Sequence, residues 1–238
     1  MRPSDKKIID LLIDDVPAVV EILKTHLQDL ERELGSGIKH TPETIPFTNI
    51  GWILSTLQAL EEHGYDAQRF EKNREEAFNL VRGFIDRWDE RFLNRVKEGL
   101  TYTSTKYKDW IQSNEEMIDE GVLSETGFSN IYDISLGFRV TIENLILGIK
   151  ALSYSSVTEL AKFEESIRET DERLRRILPE IAKTFADVLD AFAGRPADPR
   201  LYPKSFWWIH ETAKLHREYR SKLPPGTPDR GVWHSRPA

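Results

Sequence analysis

Apolar residues recur every three or four positions along most of the chain, and the strict alternation of a half-buried strand is nearly absent. The spacing predicts a first helical segment from Ser4 to Leu34, stopped by Gly35. Asp14-Asp15-Val16-Pro17 inside it reads as a break followed by a restart, so two helices or one kinked helix are expected. Gly37, Pro42 and Pro46 mark a loop, after which Thr48 is placed to cap a second helix ending at Glu62-His63-Gly64. Asp66 caps a third helix that carries Phe70, Ala77, Val81, Phe84, Trp88 and Phe92 on one face and reaches Glu98, with Gly99 as its stop. A fourth covers Thr105 to Asp119.

The fifth predicted helix, Ser129 to Leu152, is apolar on two sides, which places it in the middle of a bundle and makes it the element expected to be most buried. Ser156 and Glu159 form a capping box for a sixth helix running to Ala193, with Pro179 expected to kink it. Gly194 to Pro199 is the best linker in the chain, and beyond it a short helix spans Ser205 to Arg220. Six prolines and glycines then forbid regular structure up to the end. The expectation is therefore an all-α protein: a bundle of six or seven mostly long helices over residues 1–194, with residues 195–238 forming a linker, a short aromatic and basic helix docked on that bundle, and a Pro/Gly-rich tail.

Charge changes this picture at one end. The net charge is −7, yet residues 201–238 hold seven Lys/Arg against Glu211, Glu218 and Asp229, an excess of four positive charges that leaves the first 200 residues at −11. An acidic body argues against nucleic acid or anionic lipid along the bundle, so nucleic acid is expected, if anywhere, only at residues 201–238. No apolar run approaches the ~18–20 residues of a membrane span, and the N-terminal apolar run breaks at Asp10, so a cytoplasmic protein is expected.

Much chemistry is excluded. The absence of cysteine removes disulfides, thiolate nucleophiles and cysteine-based metal sites. No His stands three residues after a Glu, as di-iron bundles require, and Lys214 occupies the position where a zinc-protease helix opened by His210-Glu211 needs its second His. There is no phosphate-binding glycine loop, and neither a metal nor a cofactor is expected. Asp86-Arg-Trp-Asp89-Glu90 resembles a fragment of the acidic motif by which terpene synthases hold magnesium, but the second motif is absent. These residues are read as solvent-facing charges beside a core Trp88.

Three features remain. Arg139 and Glu143, with Lys150, lie on a polar stripe of the fifth helix, while Glu164 and Asp171 fall on the seam of the sixth, where apolar residues are expected. Arg139, Glu143, Glu164 and Asp171 are thus the polar residues that an interhelical pocket would use. In the C-terminal segment, Phe206, Trp208, Ile209, Leu215 and Tyr219 form an apolar arc for docking, and Trp207, His210, Lys214, Arg217 and Trp233 are candidates for a partner surface, because Trp and Arg dominate binding hot spots. The sequence points first to a non-catalytic interaction or assembly protein, contacting a protein partner or a second copy through this segment. A bundle enzyme using carboxylates in an interhelical pocket is the alternative, and nucleic-acid contact through the C-terminal segment is the third reading.

Overall fold

The computed structural model describes residues 3–36, 42–119, 138–154, 157–193 and 207–225. Among them are six α-helices, one short 3₁₀ helix and no strand: α1 (Pro3–Ser36), α2 (Ile45–Glu62), the 3₁₀ helix Ala67–Phe70, α3 (Glu71–Asp119), α4 (Arg139–Ala151), α5 (Leu160–Ala193) and α6 (Trp207–Ser221). The protein is an all-α bundle of mostly long helices with a short final one. The predicted start of the fifth helix at Ser129, the Ser156 of the capping box, the Gly194–Pro199 linker, Phe206 and the tail beyond Pro225 lie outside the described residues.

Of the two readings of the Pro17 region, two helices or one kinked helix, the structure has one helix, and the predicted stop at Gly99 does not occur. α1 runs through Pro17 without interruption because its buried row, Ile9, Val16, Val20, Leu23, Leu27, Leu30 and Leu34, continues on both sides of it. Pro17 itself is exposed, so its missing donor falls where water serves the freed carbonyl. The third and fourth predicted helices are one, because Gly99 is a packing residue and not a stop. A Cβ there would lie 2.6 Å from Thr44 Cγ2 and 2.8 Å from the Glu43 carbonyl oxygen, and the buried row passes it through Val96, Leu100, Tyr107 and Ile111. α2 also starts earlier than predicted. Pro46 lies in its first turn, and Thr48 is already inside it, donating from its backbone N and from Oγ1 to the Thr44 carbonyl.

The helices divide between two compact units, residues 9–106 with 141–167 and residues 1–8, 107–140 and 168–238. In the first of these, α2 is the central element, with ten of its eighteen residues buried; α4, expected to be the most buried, has six of thirteen. The two helices meet backbone to backbone. A Cβ on Gly51 would stand 2.7 Å from Asn144 Cα and nearer still to the Asn144 carbonyl, and a Cβ on Gly148 would stand 2.7 Å from the Phe47 carbonyl carbon and 3.1 Å from Gly51 N. Each glycine therefore receives the carbonyl that precedes the other glycine by four residues, and Ser55 Oγ donates to Asn144 Oδ1 at 3.0 Å beside the crossing. Phe47 stacks between Phe92 and Tyr154, which ties the crossing to α3.

α4 ends in a left-handed cap at Ser153, φ 53°, with Ser153 N donating to the Lys150 carbonyl and Tyr154 N to that of Ile149. A glycine normally occupies this position, since an L side chain pays a steric penalty there. Ser153→Gly is expected to raise stability by about 1 kcal/mol, measured as a higher urea midpoint at unchanged slope.

Candidate functional site

In the unit containing residues 107–140 and 168–238, polar groups converge on Asp171. Tyr107 reaches it from α3, one face of which turns Tyr107, Ile111 and Asn114 inward at helical spacing. Tyr107 Oη donates to Asp171 Oδ1 at 2.8 Å, and Arg139, at the start of α4, donates from Nη2 to Oδ2 at 2.9 Å. Tyr107 and Arg139 are fully or almost fully buried. Trp110 lies parallel to the Tyr107 ring and contacts Phe138, so aromatic surface walls this cluster. Burial pushes the Asp171 carboxyl above its ordinary range, opposed by the charge of Arg139 and the hydrogen bond from Tyr107. Both carboxylate oxygens hold a donor from the protein itself.

Of the four predicted pocket residues, then, Arg139 and Asp171 are brought together, by a Tyr107 that the sequence reading did not single out. Its signal was present as a tyrosine on the buried face of α3, opposite an acid at a seam position. Glu164 is half-buried and forms an ion pair with Lys150. Glu143 is half-buried on α4. Asp89, part of the acidic fragment, accepts from Tyr154 Oη at 2.6 Å; burial, helped by this bond, raises the Tyr154 phenol far above its ordinary value. Among the described residues no group of three His, Asp or Glu could hold a metal ion. No helix among them is long and apolar enough to cross a membrane.

The same unit holds α6. Arg175, one turn beyond Asp171 on α5, donates to Glu211 at 3.1 Å and lays its guanidinium 3.8 Å from the centre of the Trp207 ring. A cation over an indole is the strongest of the cation–π pairs, so one α5 side chain clamps the first turn of α6 twice. Trp207 is half-buried beneath it, while Lys214 and Arg217 are exposed, Lys214 with Glu218 one turn on at 3.9 Å. The side chains of Trp208, Ile209 and His210, and Trp233 altogether, lie outside what is described. Next to the clamp, Glu115 of α3 receives both Arg173 and Arg176 of α5.

A separate buried carboxylate, Glu43, sits in the other unit. It takes the capping role predicted for Thr48: Oε1 accepts from Ile45 N at 2.7 Å at the start of α2, Oε2 meets His26 Nε2 of α1 at 3.0 Å, and Glu43 N donates to the Arg95 carbonyl of α3 at 3.0 Å. The bond to Glu43 lifts His26 above its ordinary value, with smaller help from Asp29 and Glu33 and against its partial burial. A group whose folded value is raised contributes stability that is complete below its unfolded value, about 6.5, and is lost as pH rises through the folded one. The thermal midpoint is therefore expected to fall as pH rises from about 6.5 through the raised folded value, and His26→Gln should flatten that slope.

No protein-family model, no curated protein and no solved structure matches this chain. Its class is accordingly defined by the fold alone, an all-α bundle with a clamped C-terminal helix.

Proposed function

We propose that this protein is a non-catalytic interaction or assembly protein that contacts a protein partner through its C-terminal aromatic and basic segment, comprising Trp207, His210, Lys214, Arg217 and Trp233. The observation that carries this reading is the clamp. Arg175 fixes α6 through Glu211 and Trp207, while Lys214 and Arg217 remain exposed on the same helix. A helix already ordered and anchored loses less freedom on binding than a free segment, so its exposed side chains are efficient contacts. In this division of labour Trp207 holds the helix and the two cations meet the partner. The enzyme alternative draws less support, because Asp171 already accepts from two protein donors and Glu164 is engaged by Lys150.

Capture experiments with the tagged full chain test this. Lys214→Glu combined with Arg217→Glu is expected to weaken partner retention roughly tenfold or more while shifting stability by less than about 0.5 kcal/mol, since both side chains are exposed. Undiminished retention by the double variant would refute the assignment.

A further inference from the structure

Arg173, Arg175 and Arg176 fall in one turn of α5 around Leu174, which is buried. At about 100° per residue, Arg173 and Arg175 leave the helix on the two edges of its buried face, and Arg176 stands on the outward side between them. Each edge meets its own carboxylate, Glu115 of α3 on one and Glu211 of α6 on the other. Arg173 donates to Glu115 Oε2 from Nε at 3.1 Å and from Nη2 as well. Arg175 holds α6 through Glu211 and Trp207.

Arg176 decides the balance between the two edges. Its side chain is 70% exposed, and a long guanidinium stem on the outward side can turn to either carboxylate. In the structure its Nη2 lies 3.6 Å from Glu115 Oε1, so the two oxygens of Glu115 take one arginine each and Glu211 is left to Arg175. The Arg175–Glu211 pair is itself about half exposed and therefore open to competition from a second cation. Exchange there would cost the clamp twice, because the bond to Glu211 also aims the Arg175 guanidinium across the Trp207 ring, and stacking needs that orientation.

We propose that Glu115 is a positioning residue for α6, an inference that rests on the reading of α6 as a contact element. By holding Arg176 on the α3 side it keeps a second guanidinium off Glu211, so that Arg175 seats α6 through both of its contacts. Glu115 acts through α5, and the order of the contact helix is set from α3. Neutralising this one carboxylate frees Arg176 to displace Arg175 and loosens α6, while the buried row of α5, Leu174, Ile177 and Leu178, stays packed.

Amide hydrogen exchange over α6, in the full chain at about 50 mM salt, tests the assignment. Glu115→Gln is expected to speed exchange in α6 about threefold to fivefold, the scale of a partly exposed ion pair, while exchange in α2 stays as in the wild type. Adding Arg176→Gln to that variant should restore wild-type protection, because the competitor is gone. At about 500 mM salt the effect of Glu115→Gln should shrink. Arg175→Gln should loosen α6 by itself, and Glu115→Gln on that background should add no further rise. Unchanged exchange in Glu115→Gln overturns the proposal, and so does a rise that Arg176→Gln does not reverse, which would make Glu115 a plain support of the helices. Partner capture separates this from the contact role. If protection shifts and returns as stated while capture ignores Lys214→Glu/Arg217→Glu, the positioning holds and α6 is not the contact element. If capture depends on those two residues while Glu115→Gln leaves α6 unaltered, the contact role stands and the positioning falls.

Discussion

Gly148→Val and Gly51→Val are each expected to remove a large part of the stability of the fold. Overpacking a core costs about 1–3 kcal/mol when side chains can yield. Here the obstacle is backbone: the Asn144 carbonyl faces Gly51, and the Phe47 carbonyl faces Gly148. Neither can move without opening a helical hydrogen bond, so α2 and α4 must separate and give up the packing of Phe47 and Ile50 as well. The cost should exceed about 4 kcal/mol, against a total stability of roughly 5–15 kcal/mol. Gly148→Ala should show a smaller loss of the same kind. Denaturant unfolding of the alanine variant, with Gly83→Ala as control, checks this: a Cβ at Gly83 would only touch the end of Arg87 at 3.7 Å, so the control should unfold at or above the wild-type midpoint. Equal midpoints for Gly148→Ala and the wild type would show that the crossing has slack.

The second large effect belongs to the buried pair. Arg139→Met is expected to cost about 3–5 kcal/mol, because it leaves Asp171 buried with Tyr107 as its remaining donor from this cluster, whereas Arg139→Met combined with Asp171→Leu should come back to within about 1 kcal/mol of the wild type. The reason is desolvation. Burial already pushes the Asp171 carboxyl upward despite its two donors. Such a group contributes stability that is complete below its unfolded value of about 3.9 and is lost as pH rises through the folded value, so at neutral pH its ionised form costs the fold. The single variant should accordingly regain part of its loss on acidification, which the double variant should not. A double variant as unstable as the single one would show that the pair supports the helices directly.

Helix positions were readable from the sequence because three-four periodicity and burial are the same physical fact: the Phe70 to Phe92 row emerges as drawn, with Trp88 half-buried at its margin. Interruptions were less readable. Pro17 and Gly99 are breakers by intrinsic preference, and what overrides them is tertiary, a continuous buried row in one case and the Glu43–Thr44 segment pressed against the helix in the other. Nothing local distinguishes a glycine that stops a helix from one that admits another backbone, so the roles of Gly51, Gly99 and Gly148 needed the fold. The candidate site divides in the same way. Arg139 and Asp171 stood out as polar residues where apolar ones were due. Their partner Tyr107 did not, because a tyrosine on a buried face looks apolar until its hydroxyl finds an acceptor. Glu43 escaped attention entirely, since it precedes the helix it caps.

The glycine crossing between α2 and α4 also bears on the speed of folding. Helical bundles fold quickly when their contacts are local. Gly51 and Gly148 lie nearly a hundred residues apart, and closing a loop of that length costs about 4 kcal/mol of chain entropy before any contact repays it. Because the backbones must approach with no side chains between them, a partly docked α2 gains little from the crossing itself. Contacts that form late raise the barrier to unfolding more than they speed folding. The crossing should therefore act chiefly as a latch, setting how long the native state lasts and leaving the rate at which it is reached to the helices around it.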